Sequence, residues 1–189
     1  MTISNTLYTV AVFSENRVGL LNQISIIFTR RKLNIETLTV SPSSIKGVHK
    51  FTITTYTDKQ TIQKLVLQIE KRIDVLKAFY YTDDEIVFQE IALYKVPTIN
   101  LIDEPNLESI IRRHNARILE IAREFTVIEK TGQSDEVEAL FEELKKYDIR
   151  QFVRSGRVAI TKSPAEYVTM FIEEQEKRRM PKEKWSDKE

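Results

Sequence analysis

The stretch Ser14-Glu15-Asn16-Arg17-Val18-Gly19-Leu20-Leu21 decides how the chain reads, together with its continuation Lys32-Leu33-Asn34-Ile35-Glu36-Thr37-Leu38-Thr39-Val40. An apolar run at residues 7–13 precedes it. That run is rich in strand formers and alternates too little to be half-exposed, so it predicts a buried strand. A polar turn follows, and a helix opens near Val18 or Gly19. The apolar positions Leu20, Leu21, Ile24, Ile27 and Phe28 form a stripe at helical spacing. A second strand is expected from about Asn34. The first turn of a helix carries backbone N–H groups without partners, and the helix dipole makes that end positive. A glycine there admits positive φ or a close ligand. Two readings follow. Asn16 caps the helix and Gly19 makes its turn, or the pair builds a site for a small anion such as the carboxylate of a free amino acid.

Outward from this stretch the pattern continues. Ser41-Pro42-Ser43-Ser44 marks a loop. The next strand, at 48–57, places His49, Phe51, Ile53 and Thr55 on one face and Lys50, Thr52, Thr54 and Tyr56 on the other. Asp58 is a helix cap, and Ile62, Leu65, Val66, Ile69 and Ile73 line the helix that follows. Residues 75–81 read as a strand. The order strand, helix, strand, strand, helix, strand is the split βαβ, ferredoxin-like plan.

The polar linker Thr82-Asp83-Asp84-Glu85 separates this unit, residues 1–82, from a second one at 86–163. There the topology recurs without residue identity. Residues 86–96 form a strand, and Asp103-Glu104-Pro105 starts a helix with Leu107, Ile110 and Ile111 inward. Strands follow at 116–122 and 125–130. Ser134 caps a helix whose core face is Val137, Leu140, Phe141 and Leu144. A strand at 148–154 and an edge strand at 157–162 complete the unit. The fold class is α+β, with two ferredoxin-like domains. Residues 164–189 read as a short docking helix through Tyr167, Val168, Met170, Phe171 and Ile172, then a charged tail containing Trp185.

Composition narrows the function. The chain has 189 residues, 41% apolar and 30% charged, with a net charge of +1, which argues against a strongly steered polyanion binder. Without cysteine there is no disulfide, thiolate metal site or cysteine nucleophile. This usage fits a reducing cytoplasm. Neither a signal-peptide pattern at the N-terminus nor a membrane-length apolar run is present. The only histidines, His49 and His114, fall in different domains, which disfavours a catalytic or zinc pair. Asp83-Asp84-Glu85 offers oxygen ligands to a hard cation but reads more simply as an exposed linker. No nucleophilic triad order, phosphate loop or dinucleotide fingerprint occurs. RNA-recognition domains share the split topology, and Tyr8 and Tyr56 are the candidate stacking aromatics, but paired platforms are absent from the strand patterns.

Asn16-x-x-Gly19-x-Leu21 after a first strand resembles the ligand loop of ACT domains, small modules that bind amino acids. Asn34-Ile35-Glu36-Thr37-Leu38-Thr39-Val40 is similar to the second-strand motif of one family, the small regulatory subunit of acetolactate synthase (acetohydroxyacid synthase). Val75-Leu76, Glu90-Ile91-Ala92-Leu93-Tyr94-Lys95-Val96 and Arg154-Ser155-Gly156-Arg157-Val158-Ala159-Ile160 extend the resemblance over about 160 residues. The resemblance implies a non-catalytic subunit that homodimerises through its ACT domains and binds a branched-chain amino acid, usually valine, between them. Asn16, Gly19, Leu20 and Leu21 then meet the ligand from one protomer, and Asn34 and Ile35 from the other. It further implies that thiamine diphosphate, magnesium and FAD belong to the catalytic partner, with none held by this chain. The chain departs from the family at Lys32, where glycine is common two residues before the second-strand asparagine. A left-handed cap is harder for lysine than for glycine. Arg17 and Val18 replace smaller or acidic residues. An ACT-type amino-acid sensor serving another enzyme or a regulator is the alternative, and an RNA-binding split-βαβ protein the third reading.

Overall fold

The computed structural model describes residues 5–103, 105–164 and 170–171. The first unit runs β1 (Thr6–Glu15), α1 (Leu20–Arg30), β2 (Thr37–Pro42), β3 (Val48–Thr57), α2 (Lys59–Glu70) and β4 (Val75–Tyr81). Its strands form an antiparallel sheet in the order β2-β3-β1-β4. Alternate residues Tyr8, Val10 and Val12 of β1 and Phe51 and Ile53 of β3 face the helices. Leu20, Ile24, Ile27 and Phe28 of α1 and Ile62, Leu65, Val66 and Ile69 of α2 close the core from above. Each such side chain, fully buried, contributes roughly 1.5–3 kcal/mol. The Asp58 side chain caps α2, accepting from the Thr61 backbone N–H at 2.9 Å.

Two expected core positions fall outside. Ile73 is 96% exposed, because α2 ends at Glu70 and the helical period no longer governs its direction. Leu21 also lies on the solvent side of α1. The second strand starts at Thr37 rather than Asn34.

A single 3-10 turn at Asp83–Glu85 joins the units, fixed by a reciprocal capping box between Thr82 and Glu85. The second unit runs β5 (Ile86–Val96), α3 (Thr98–Asp103), α4 (Pro105–Arg113), β6 (Arg117–Ile121), β7 (Thr126–Gly132), α5 (Ser134–Leu144), β8 (Gln151–Arg154) and β9 (Val158–Thr161). Its sheet order is β6-β7-β5-β8, and β9 pairs with the first half of β5. The core joins Ala92, Tyr94 and Val96 of β5 to Leu107, Ile110 and Ile111 of α4 and Val137, Leu140 and Leu144 of α5. Helix α3 was not expected from the sequence. It is anchored by tertiary hydrogen bonds, from the Thr98 hydroxyl to the Ala122 carbonyl at 2.7 Å and from Asn100 to the Tyr147 carbonyl at 2.6 Å. The cap of α5 is Gln133, paired with Glu136, and not Ser134. Ser134 instead gives its hydroxyl to Glu90 at 2.7 Å. Of the docking segment, Met170 and Phe171 are helical. Tyr167, Val168, Ile172 and the tail with Trp185 lie outside the described residues.

The two units are not separate bodies on a string. The ribbon formed by β9 and the start of β5 covers the face of the first sheet opposite its helices, where Ile86, Phe88 and Ala159 cluster with Tyr81. Thr9 and Thr52, which line the space beneath the ribbon, are buried.

Candidate functional site

The chain leaves β1 at Glu15 and enters α1 through an exposed loop. Gly19 occupies the N-cap with φ +86°, the left-handed region, and a Cβ placed there would meet nothing within 4 Å. Glycine is thus required for the backbone angle and not for space. No side chain caps α1. Asn16 is exposed and its backbone N–H donates to the Gly47 carbonyl at 3.3 Å. Of the two readings of Asn16, capping is removed. Arg17 folds back onto Glu15 at 3.1 Å, away from the helix start. The first turn of α1 therefore presents an open, positive end to solvent. Leu20 is 1% exposed, its side chain committed to the core, whereas Leu21 is 45% exposed. Any contact of Leu20 with a ligand in this loop runs through its backbone.

Asn34 and Ile35 sit at the other end of α1. Its 11 residues span about 16 Å at roughly 1.5 Å each. The Asn34 carbonyl accepts from the Thr55 hydroxyl at 2.6 Å, and Thr55 is the register partner of Tyr8 near the start of β1. Gly19 follows the opposite end of that strand. Within one chain the fold keeps the two groups apart. The Asn34 amide reaches Glu36 at 2.8 Å, and Ile35 is half-buried against the core. Lys32 does adopt the left-handed backbone, at φ +56°. Leu33 N–H bonds the Phe28 carbonyl at 3.0 Å and Lys32 N–H the Thr29 carbonyl at 2.9 Å, the paired contacts of a Schellman C-cap. Leu33 packs on the core beside them, so the motif holds lysine where glycine is favoured.

Sequence reasoning passed over the contact between the units. Arg157 is 4% exposed and forks onto Asp83. Its guanidinium also lies 3.4 Å from Glu90 and 3.8 Å from the Phe88 ring centroid, and it donates to Thr9 of β1 at 3.4 Å. Glu90, 1% exposed, takes further hydrogen bonds from Arg154 at 2.6 Å and from Ser134. One residue earlier, a Cβ on Gly156 would stand 2.5 Å from the Thr39 hydroxyl of β2, so a larger residue in this turn would have to displace that side chain. The acidic linker is tied here as well, with Lys162 donating to the Asp84 carbonyl at 2.8 Å. Among the described residues no group of three or more His, Asp or Glu could hold a metal ion, and no helix is long and apolar enough to cross a membrane. His114 pairs with Glu143 at 2.9 Å, a structural contact. The RNA reading loses its paired platform: Tyr8 lies in the helix-side core, edge-on to Tyr80, while the half-exposed Tyr56 sits on the opposite face of the sheet.

The first unit is a βαββαβ sheet whose first helix opens uncapped at a left-handed glycine, joined in tandem to a second ferredoxin-like unit. Residues 10–77 match the AHAS small subunit-like ACT domain, and residues 89–163 match the family described as small subunit of acetolactate synthase. The chain is 35% identical to the acetolactate synthase small subunit of Bacillus subtilis, over 78% of this chain and 86% of that one. It is 31% identical to a probable acetolactate synthase small subunit of Archaeoglobus fulgidus, over 82% and 96%. The crystal structure of the small subunit from Thermotoga maritima superposes with a TM-score of 0.76 at 26% identity, covering 84% of this chain and 99% of that one. The chain belongs to the acetolactate synthase small-subunit family.

Proposed function

We propose that this protein is the non-catalytic, regulatory subunit of acetolactate synthase. It binds and stimulates the catalytic subunit and confers feedback inhibition by a branched-chain amino acid, valine foremost, in the cytoplasm. Thiamine diphosphate, magnesium and FAD belong to the catalytic partner, and this chain holds no cofactor. The observation that carries the reading is the uncapped start of α1 at Gly19. Backbone N–H groups there receive the effector carboxylate, and the Asn16 amide carbonyl accepts from its ammonium. Leu21 supplies apolar contact from the same protomer.

Asn34 and Ile35 complete the site from a second copy of the chain. The length of α1 between the two half-sites supports this, because one chain cannot close them on a single amino acid. Energetics point the same way. Burying a Val or Leu side chain contributes roughly 1.5–3 kcal/mol and a helix-end contact roughly 0.3–1. Micromolar affinity needs about 8 kcal/mol, so enclosure between protomers and several directed hydrogen bonds are required. A ligand bridging two protomers favours one dimer arrangement, and that differential affinity biases the catalytic partner. The path outward begins at β2, which runs from the Asn34 side of the site to the Gly156 turn.

The test is reconstitution. Purified protein added to a cognate catalytic subunit should raise its rate and make it valine-sensitive. If neither rate nor sensitivity changes, the reading fails. Calorimetry with valine, leucine and isoleucine then ranks the effectors. Amino-acid binding without any effect on the synthase would favour a sensor for another enzyme.

A further inference from the structure

On the face of the first sheet away from α1 and α2, a cavity of about 280 Å³ lies between the sheet and β9. Its floor is Ala11 and Thr52, cross-strand partners in register, and Ala159 of β9 is in the roof. These three short side chains leave the space open. Phe13 and its cross-strand partner Lys50 form one wall. The volume is near the lower end of small-molecule sites, roughly 300 Å³ upward. Such sites combine apolar walls with few polar groups, and this lining does so.

Lys50 is the informative residue. Its ammonium donates to the Ala159 carbonyl and stands 5.7 Å from the Phe13 ring centroid. Among the described residues no carboxylate pairs with it, and neither Asp nor Glu lines the cavity. Partial burial pulls its pKa below the ordinary lysine value. An ammonium has three donors, and among the described residues one is used, by the Ala159 carbonyl. A desolvated charge in such a wall is favourable when an anion meets it.

We propose that this cavity is a second ligand site, taking a small monocarboxylate with a compact apolar body: the carboxylate on Lys50, the body over Ala11, Thr52 and Ala159. It is distinct from the effector loop, which lies on the helix side of the sheet. It also selects differently. The described lining offers no carboxylate to an ammonium group, so a free amino acid is disfavoured against the same skeleton without its amine. Since the floor belongs to the first unit and the roof to the second, occupancy braces the two together and raises thermal stability.

The test uses the full chain with isovalerate as the probe, followed by calorimetry and thermal unfolding. One isovalerate per chain is expected, with a rise in melting temperature. Lys50→Met and Ala159→Leu should each weaken binding at least tenfold, and 3-methylbutan-1-ol, lacking the carboxylate, should bind at least tenfold less well. Gly19→Asp, in the effector loop, should leave isovalerate binding intact. Absence of binding at millimolar isovalerate overturns the proposal, as does binding that survives either cavity substitution or is lost with Gly19→Asp. Ala159→Leu fills the space without removing a charge, so it decides the matter should Lys50→Met fail to fold, as judged by circular dichroism.

Discussion

Arg157 forks onto Asp83, with Nη1 to Oδ1 at 2.6 Å and Nη2 to Oδ2 at 3.3 Å, across 74 residues of sequence. The pair clamps the turn before β9 to the linker between the two units. Because Arg157 also faces the buried Glu90, its loss leaves a carboxylate without one of its cations. Removing one partner of a buried ion pair costs about 3–5 kcal/mol. Arg157→Met should therefore lower stability by about 3 kcal/mol, measured by urea unfolding. The two units should then unfold in separate transitions where the parent shows one. A double-mutant cycle with Glu90→Gln should return part of the loss, as expected for residues in direct contact.

Lys32 carries a backbone that glycine adopts more readily. For a residue with a Cβ the left-handed region costs roughly 1–2 kcal/mol, partly offset by the greater chain entropy that glycine loses on folding. Lys32→Gly should raise stability by about 1 kcal/mol, or roughly 2–4 °C in melting temperature by calorimetric scanning. An unchanged or lower melting temperature would show that the Schellman contacts already remove the strain.

Leu20 and Leu21 are adjacent in sequence and opposite in role. Leu20→Ala should cost roughly 2–5 kcal/mol in chemical denaturation, the range for a buried leucine. Leu21→Ala should leave stability within about 0.5 kcal/mol and weaken valine binding in calorimetry. Equal stability losses from both would place Leu21 in the core and out of the effector site.

Gly19→Asp brings a Cβ to a left-handed backbone and a carboxylate to the end of α1 that the effector carboxylate is proposed to occupy. Feedback by valine should disappear in the reconstituted synthase while stimulation of the catalytic rate is retained. Valine sensitivity persisting in this variant would take the loop out of the site.

Glu129, buried on β7, has its carboxyl held below the usual carboxylate range by the Thr131 hydroxyl first and by Arg117. A depressed folded-state pKa stabilises the protein above the unfolded-state pKa, and that contribution is lost as pH falls through the folded value. Acid unfolding should therefore begin at higher pH in Glu129→Gln, and the stability–pH curve should flatten on its acid limb. A curve parallel to the parent's would exclude Glu129 as a source of the acid sensitivity.

The βαββαβ plan of the first unit was legible because its signals are local. A continuous run of strand formers marks β1, alternation at period two marks β3, and the run Ile62, Leu65, Val66, Ile69 repeats at the period of a helix. Asp58 announces α2 through a cap that involves only Thr61. Where the deciding partner lies far off, the reading failed. Helix α3 is held by Ala122 and Tyr147, and Ser134 turns from capping α5 to bonding Glu90. The loop from Asn16 to Leu21 was visible as a motif, but that Asn16 leaves α1 uncapped could be learned only from its geometry.

By itself the sequence determined the two ferredoxin-like units and the glycine turn at the head of α1, since periodicity and turn chemistry act over a few residues. Only the tertiary structure decided what covers the far face of the first sheet. Spacing along a chain specifies which side of a strand is apolar, but not which distant segment packs on the other side. The roof of β9, Lys50 beneath it and the Arg157 clamp all arise from that packing. Arg157 meets Asp83 and Glu90 through three-dimensional proximity and the need of buried charge to find a counter-charge.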